Sequence, residues 1–145
     1  MALELNDLLG MSGGELDELF RNSPPGEIPN GDADGRILVG IEPTVSRVTG
    51  RIGRWIAWQG KVFDRQKGEL KNKVGPLGFH LVKAKVYKEA SWFDDKETIV
   101  LDYSKTSFVA KSIRDEIREV APGLYLGLVF QRRTKVLHFA LKFAA

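Results

Sequence analysis

The chain contains no cysteine. A disulfide framework, a thiolate nucleophile and a cysteine-based metal site are therefore excluded. Only two histidines occur, His80 and His138, and neither stands in an HxH or HExxH spacing. No metal site is expected from them. No apolar run approaches the roughly 20 residues that a membrane-spanning helix needs. The stretch Met1-Ala-Leu-Glu-Leu-Asn-Asp7 lacks a basic region followed by a continuous apolar one, so no secretory signal is expected. Together with the absence of cysteine, this makes the cytoplasm the expected location. GxSxG, a Walker loop, a dinucleotide fingerprint and a deaminase signature are all missing. No cofactor is expected.

What is present suits one globular domain. The 145 residues are 43% hydrophobic and 28% charged, which is ordinary composition for a soluble fold. The net charge of +3 hides an asymmetry. Residues 1–35 carry eight acidic residues against Arg21 alone, a net of −7, whereas the remainder carries 21 basic and 11 acidic residues, a net of +10. The simplest reading is an acidic arm folded back on a basic body. Attraction of an anionic ligand or membrane is the functional alternative. The basic residues are dispersed and no nucleic-acid-binding motif accompanies them, so a nucleic-acid partner is not expected.

Local patterns give the elements. Ser12-Gly-Gly-Glu15 is a capping box opening a short helix with Leu16, Leu19 and Phe20 on one face. Asn22-Ser-Pro-Pro-Gly26 ends it, and Pro29 to Gly35 is turn chemistry. Arg36 to Glu42 reads as a first strand. Val45, Val48, Ile52, Trp55 and Ile56 share one face of an amphipathic helix. Arg47, Arg51 and Arg54 lie on the other, and peripheral membrane contact through them is a minor alternative. Strands follow at Trp58–Asp64, Glu69–Val74, Phe79–Lys88 and Thr98–Tyr103. Val109, Ala110, Ile113, Ile117 and Val120 predict a late helix over about 107–120. Lys111, Asp115, Arg118, Glu116 and Glu119 then form its solvated face. Leu124–Gln131 and Leu137–Phe143 alternate as two last strands around the turn Arg132-Arg-Thr-Lys135.

About seven short strands joined by hairpin-length turns imply antiparallel pairing, and closure would remove exposed edges. The expected fold is mainly β within the α+β class. It is an antiparallel barrel or strongly bent sheet over 36–145, preceded by an acidic helix and turn-rich arm over 1–35. Trp58, Lys61, Phe63, Tyr87, Asp102, Tyr103, Tyr125 and His138 are the candidate ligand-binding residues. Their aromatic rings would supply apolar area, while Lys61, Tyr103 or His138 would fix a polar end. Asp102, Tyr103 and Ser104 end a strand and would either ring a barrel mouth or bond turn amides.

Two resemblances accompany these residues. Pro25-Gly-Glu-Ile-Pro-Asn-Gly31 and Trp58-Gln-Gly-Lys-Val-Phe63 resemble the small bacterial GXWXG-type domains, which have a P-T-G element followed by a W-x-G-K-x-F strand. The segment before Pro25, Leu19-Phe-Arg-Asn-Ser23, departs from the G-x-W-x-G pattern. The layout is also similar to the calycin superfamily, which includes lipocalins and fatty-acid-binding proteins. That likeness implies an antiparallel barrel with an apolar cavity, and a structural pairing of Trp58 with Lys142. The expected function is binding of a small hydrophobic or amphipathic molecule, anionic ones included. The alternative is a cofactor-free isomerase, cyclase or hydratase using Asp102, Tyr103 and His138 in the same pocket.

Overall fold

The computed structural model describes residues 2–39, 60–74, 79–106 and 110–144, with the side chains of 74 and 79–81 left aside. Eight strands close into a barrel in simple sequence order: β1 (Gly31–Val39), β2 (Gly60–Asp64), β3 (Glu69–Val74), β4 (Phe79–Ala90), β5 (Glu97–Asp102), β6 (Ile113–Ala121), β7 (Leu124–Gln131) and β8 (Thr134–Phe143). Each strand runs antiparallel to the next, and β8 returns to pair with β1. Two short helices, α1 (Leu5–Leu9) and α2 (Gly13–Arg21), precede the barrel. The Val45–Ile56 amphipathic pattern and Trp58 lie outside the described residues.

Where a late helix is expected over 107–120, residues 107–109 lie outside the described residues, 110–112 form a turn and the rest belongs to strand β6. Its decisive residues, Ile113 and Ile117, are four apart, and that spacing fits a helix face and a strand face equally. Pairing with β5 and β7 selects the strand. Ile113, Asp115 and Ile117 consequently point into the barrel, while Arg114, Glu116 and Arg118 point out. The expected solvated face is also corrected, because Arg114, Asp115, Glu116 and Arg118 are all buried. Likewise β1 begins at Gly31, inside the stretch read as turns, so the last residues of the acidic arm are barrel wall.

Strand alternation sorts the apolar residues into two clusters. Ala33, Phe63, Leu70, Ile99, Leu101, Ile117, Tyr125, Phe139, Leu141 and Phe143 fill the interior. Leu124, Leu126, Leu128, Phe130 and Ala140 face outward, where Leu8, Leu16 and Phe20 of the helices cover them. The helices thus hide one outer face of β7 and β8 that would otherwise be an exposed apolar patch. The capping box is in place: Glu15 N–H donates to Ser12 Oγ at 3.2 Å, and Ser12 N–H donates to Glu15 Oε1 at 3.0 Å. Buried Arg118 fastens the far end of α2. Its Nη1 donates to the Phe20 carbonyl at 2.7 Å, and its guanidinium grips both Asp94 oxygens.

The acidic arm pairs with the basic body at specific points. Asp17 of α2 accepts from Lys135 and meets His138 Nε2 at 2.7 Å, and Asp32 pairs with Lys73. Burial opposes ionisation of Asp17, but the bonds from Lys135 and His138 outweigh it and hold its pKa below the usual carboxylate value. A depressed folded-state pKa contributes stability above the unfolded value of about 4, lost as pH falls through the folded one. Asp17→Asn should therefore destabilise the protein at neutral pH, with the gap to wild type shrinking below about pH 4. Urea midpoints measured from pH 3 to 7 check this, and a gap independent of pH would contradict it.

One end of the barrel is closed and filled. Phe143 packs against Phe63 and Tyr125, with centroids 5.7 and 5.5 Å apart. The chain before β1 crosses this end. The carbonyls of Pro25, Glu27 and Ile28 accept from Glu119 N–H, Tyr125 OH and Arg65 Nε. Higher in the lumen the Phe139 ring lies flat over Gly127, where a Cβ would sit 2.2 Å from it.

Candidate functional site

At the opposite end, four strands bring polar side chains into the lumen. Lys61 enters from β2, Asn72 from β3 and Asp115 from β6; Tyr103 enters just after β5. All four are nine-tenths or more buried, at 3, 1, 4 and 3% exposure for Lys61, Asn72, Asp115 and Tyr103. Register explains their meeting, since Lys61 stands opposite Asn72 and Asp115 opposite Leu101.

Their bonds interlock. Lys61 Nζ donates to Asn72 Oδ1 and to the Tyr103 oxygen, each at 2.7 Å, and lies 3.1 Å from Asp115 Oδ2. Asn72 Nδ2 donates to the Tyr103 oxygen at 2.8 Å and to the Val82 carbonyl at 2.9 Å. Tyr103 OH in turn donates to Asp115 Oδ2 at 3.3 Å. The β3–β4 register slips here, pairing Lys71 with Lys83 but Asn72 with Leu81. The residue left over, Val82, sits at φ 61°. That left-handed conformation is unfavourable for a β-branched residue. It accompanies a carbonyl that serves the cluster, and bulges of this kind recur beside functional sites.

Burial drives the electrostatics. It lowers the Lys61 ammonium pKa against the pull of Asp115, raises that of Asp115 against the pull of Lys61, and raises the Tyr103 phenol well above its ordinary value. An apolar pair of similar volume would often hold a fold as well as a buried ion pair does. A buried titratable cluster inside a barrel is accordingly a functional-site candidate.

Above the cluster the inward side chains of the described residues are apolar. Val82, Ile113, Val129 and Leu137 pack against the interior cluster while only partly buried. Ile37, paired with inward-facing Phe139, is 49% exposed. It lies beyond Asp34, the last β1 residue paired with β2. Gln131, opposite Ile113, stands at the same rim.

Of the residues expected from sequence, the structure brings Lys61 and Tyr103 together. Phe63 and Tyr125 also face inward, but in the filled end. Tyr87 and Asp102 lie on the outer face, where Tyr87 OH donates to Asp102 Oδ2 at 2.8 Å. Burial, together with that bond, pushes the Tyr87 pKa up to about 12. Asp102 Oδ1 accepts from the Ser104 N–H and hydroxyl, so it serves the turn. His138 faces α2 and Asp17. Asp102, Tyr103 and His138 thus occupy different sides of the sheet and do not form one acid–base set. Asn72 and Asp115 were absent from the expected set. Asn72 is two residues from inward-facing Leu70, and Asp115 stands midway between Ile113 and Ile117, which is the periodic signal that would have placed both. Among the described residues, no group of His, Cys, Asp or Glu side chains is arranged to hold a metal ion, and no helix is long and apolar enough to cross a membrane.

No protein-family model matches the chain, and no curated protein matches it. A crystal structure of a protein from Thermomonospora curvata is similar, with a TM-score of 0.65 and 17% identity. The match covers 93% of this chain and 89% of that one. At this identity the likeness is one of fold.

Proposed function

We propose that the barrel binds a small apolar or amphipathic molecule in the half of its lumen away from the filled aromatic end, with the polar end seated at Lys61, Asn72, Tyr103 and Asp115. The observation that carries this reading is the sequence of surfaces along the barrel axis: a filled aromatic end, a buried polar floor, then partly exposed inward apolar residues. Small-ligand sites combine these features, being concave and mainly apolar with few, fixed polar groups. The eight-stranded up-and-down arrangement supports it by shape, since barrels of this size either fill their interior or hold one small ligand. A calycin-like relationship belongs to the same proposal and rests on that shape.

The test uses N-phenyl-1-naphthylamine, a neutral apolar fluorophore. Saturable fluorescence enhancement at one site per chain is expected. Ile37→Lys places a charge in the mouth at an already exposed position and should weaken binding at least about tenfold. Absence of saturable enhancement, or equal affinity in the variant, would overturn the reading.

A cofactor-free isomerase, cyclase or hydratase is the second reading. It draws on Asp115, Tyr103 and Lys61, which share the lumen and a hydrogen-bonded path. Recovery of a bound ligand chemically unchanged after prolonged incubation would favour the binder.

A further inference from the structure

The polar floor is balanced in charge and unbalanced in hydrogen bonding. Among the described residues, Lys61 Nζ has three oxygen neighbours, Asn72 Oδ1, the Tyr103 oxygen and Asp115 Oδ2. Tyr103 accepts twice and donates once, which uses its hydroxyl fully. Asn72 donates to two partners. Asp115 differs. Both of its contacts, from Lys61 and Tyr103, fall on Oδ2. Oδ1 has no hydrogen-bond partner among the described residues, although the side chain is only 6% exposed. Oδ1 is not fully buried, so its lone pairs can accept from a donor that enters the lumen.

From this we infer that the ligand's polar end is an uncharged hydroxyl group that donates to Asp115 Oδ1, and that the site disfavours a carboxylate. This rests on the lumen reading above and names its ligand class. A carboxylate entering from the mouth would meet Asp115 Oδ1, a like charge. It would also find the Lys61 protons already directed to protein acceptors, with the Lys61 charge balanced by Asp115. A hydroxyl supplies the missing donor and brings no charge into the low-dielectric lumen, where an added charge is expensive. An ether oxygen of the same reach brings no donor. Its oxygen would oppose the same lone pairs.

Calorimetric titration of the wild-type protein with 1-octanol, octanoate and octyl methyl ether at pH 7 tests the assignment without any substitution. Octanol should bind at least about tenfold more tightly than either of the others, the worth of one hydrogen bond to a charged acceptor. Octanoate binding as tightly as octanol would overturn the inference, and so would equal affinity for the ether, while leaving the lumen reading intact. Absence of binding by all three would overturn both. Asp115→Asn adds an independent check if it folds. It removes the repelling charge and leaves Lys61 unbalanced, so octanoate affinity should rise at least about tenfold. Unchanged octanoate affinity in that variant would count against the role of Asp115.

Discussion

Gly60→Ala should cost the protein more than about 4 kcal/mol, most of the stability of a domain at the lower end of the ordinary range of about 5–15 kcal/mol. Gly60 opens β2 at φ 138°, where a Cβ would lie 2.0 Å from the Ala33 carbonyl oxygen and 2.8 Å from the Gly35 nitrogen. Both opposing atoms are backbone of β1, so no side-chain rotation relieves the clash. Relief requires parting β1 from β2 where Asp34 pairs with Gly60, next to the pair Ala33–Lys61 that carries the floor of the site. Gly14→Ala is the matched control. Nothing lies within 4 Å of its Cβ position in α2. Replacing a helical glycine there should be neutral or stabilising by up to about 1 kcal/mol. Thermal melts followed by circular dichroism distinguish the two. A Gly60→Ala protein that melts near wild type would show that the β1–β2 approach is looser than described.

The second large effect concerns the polar floor. Lys61→Met strands the Asp115 carboxylate, and Asp115→Leu strands the Lys61 ammonium. Each should lose about 3–5 kcal/mol, the cost of leaving a buried charge unpaired. The double variant should be far more stable than the sum of the single losses predicts, because an apolar pair of similar volume replaces an ion pair that contributes little net stability. Urea denaturation of the three variants and wild type closes the cycle. Additive losses would mean that the two groups do not act as a pair. The double variant should at the same time lose the octanol preference, which separates the cluster's functional role from its structural one. A stable double variant with unchanged selectivity among octanol, octanoate and ether would place the polar recognition elsewhere.

Legibility in the sequence follows a simple physical division. Strands with strict alternation and turn-forming ends, such as Leu124–Gln131 and Leu137–Phe143, were readable as strands because a period of two has no competing explanation over seven or eight residues. The helix α2 was readable from Ser12 and Glu15, because a capping box is a local hydrogen-bond arrangement. β6 was not readable. Ile113 and Ile117 satisfy both periods, and its outward charges resemble a solvated helix face. They are buried because distant parts of the chain cover them. Arg118 meets Phe20 and Asp94, and Glu116 accepts from Ser91 Oγ and Trp92 N–H. Once β6 is read as a helix, Asp115 is assigned to solvent and the site loses its carboxylate.

The sequence alone determined that the protein is rich in antiparallel strands, carries a capped acidic helix ahead of them and has no cysteine chemistry. It also singled out Lys61 and Tyr103. These are properties of composition, period and near neighbours. Only the tertiary structure decided which face of each strand is inside, because a polar residue such as Asp102 or His138 is compatible with either until the register is known. Closure of β8 on β1 sends Asp102 and His138 outward, draws Asn72 and Asp115 inward, and sets Lys61 between them. Register is a long-range property, and the site consists of residues separated by up to 54 positions whose meeting depends on it.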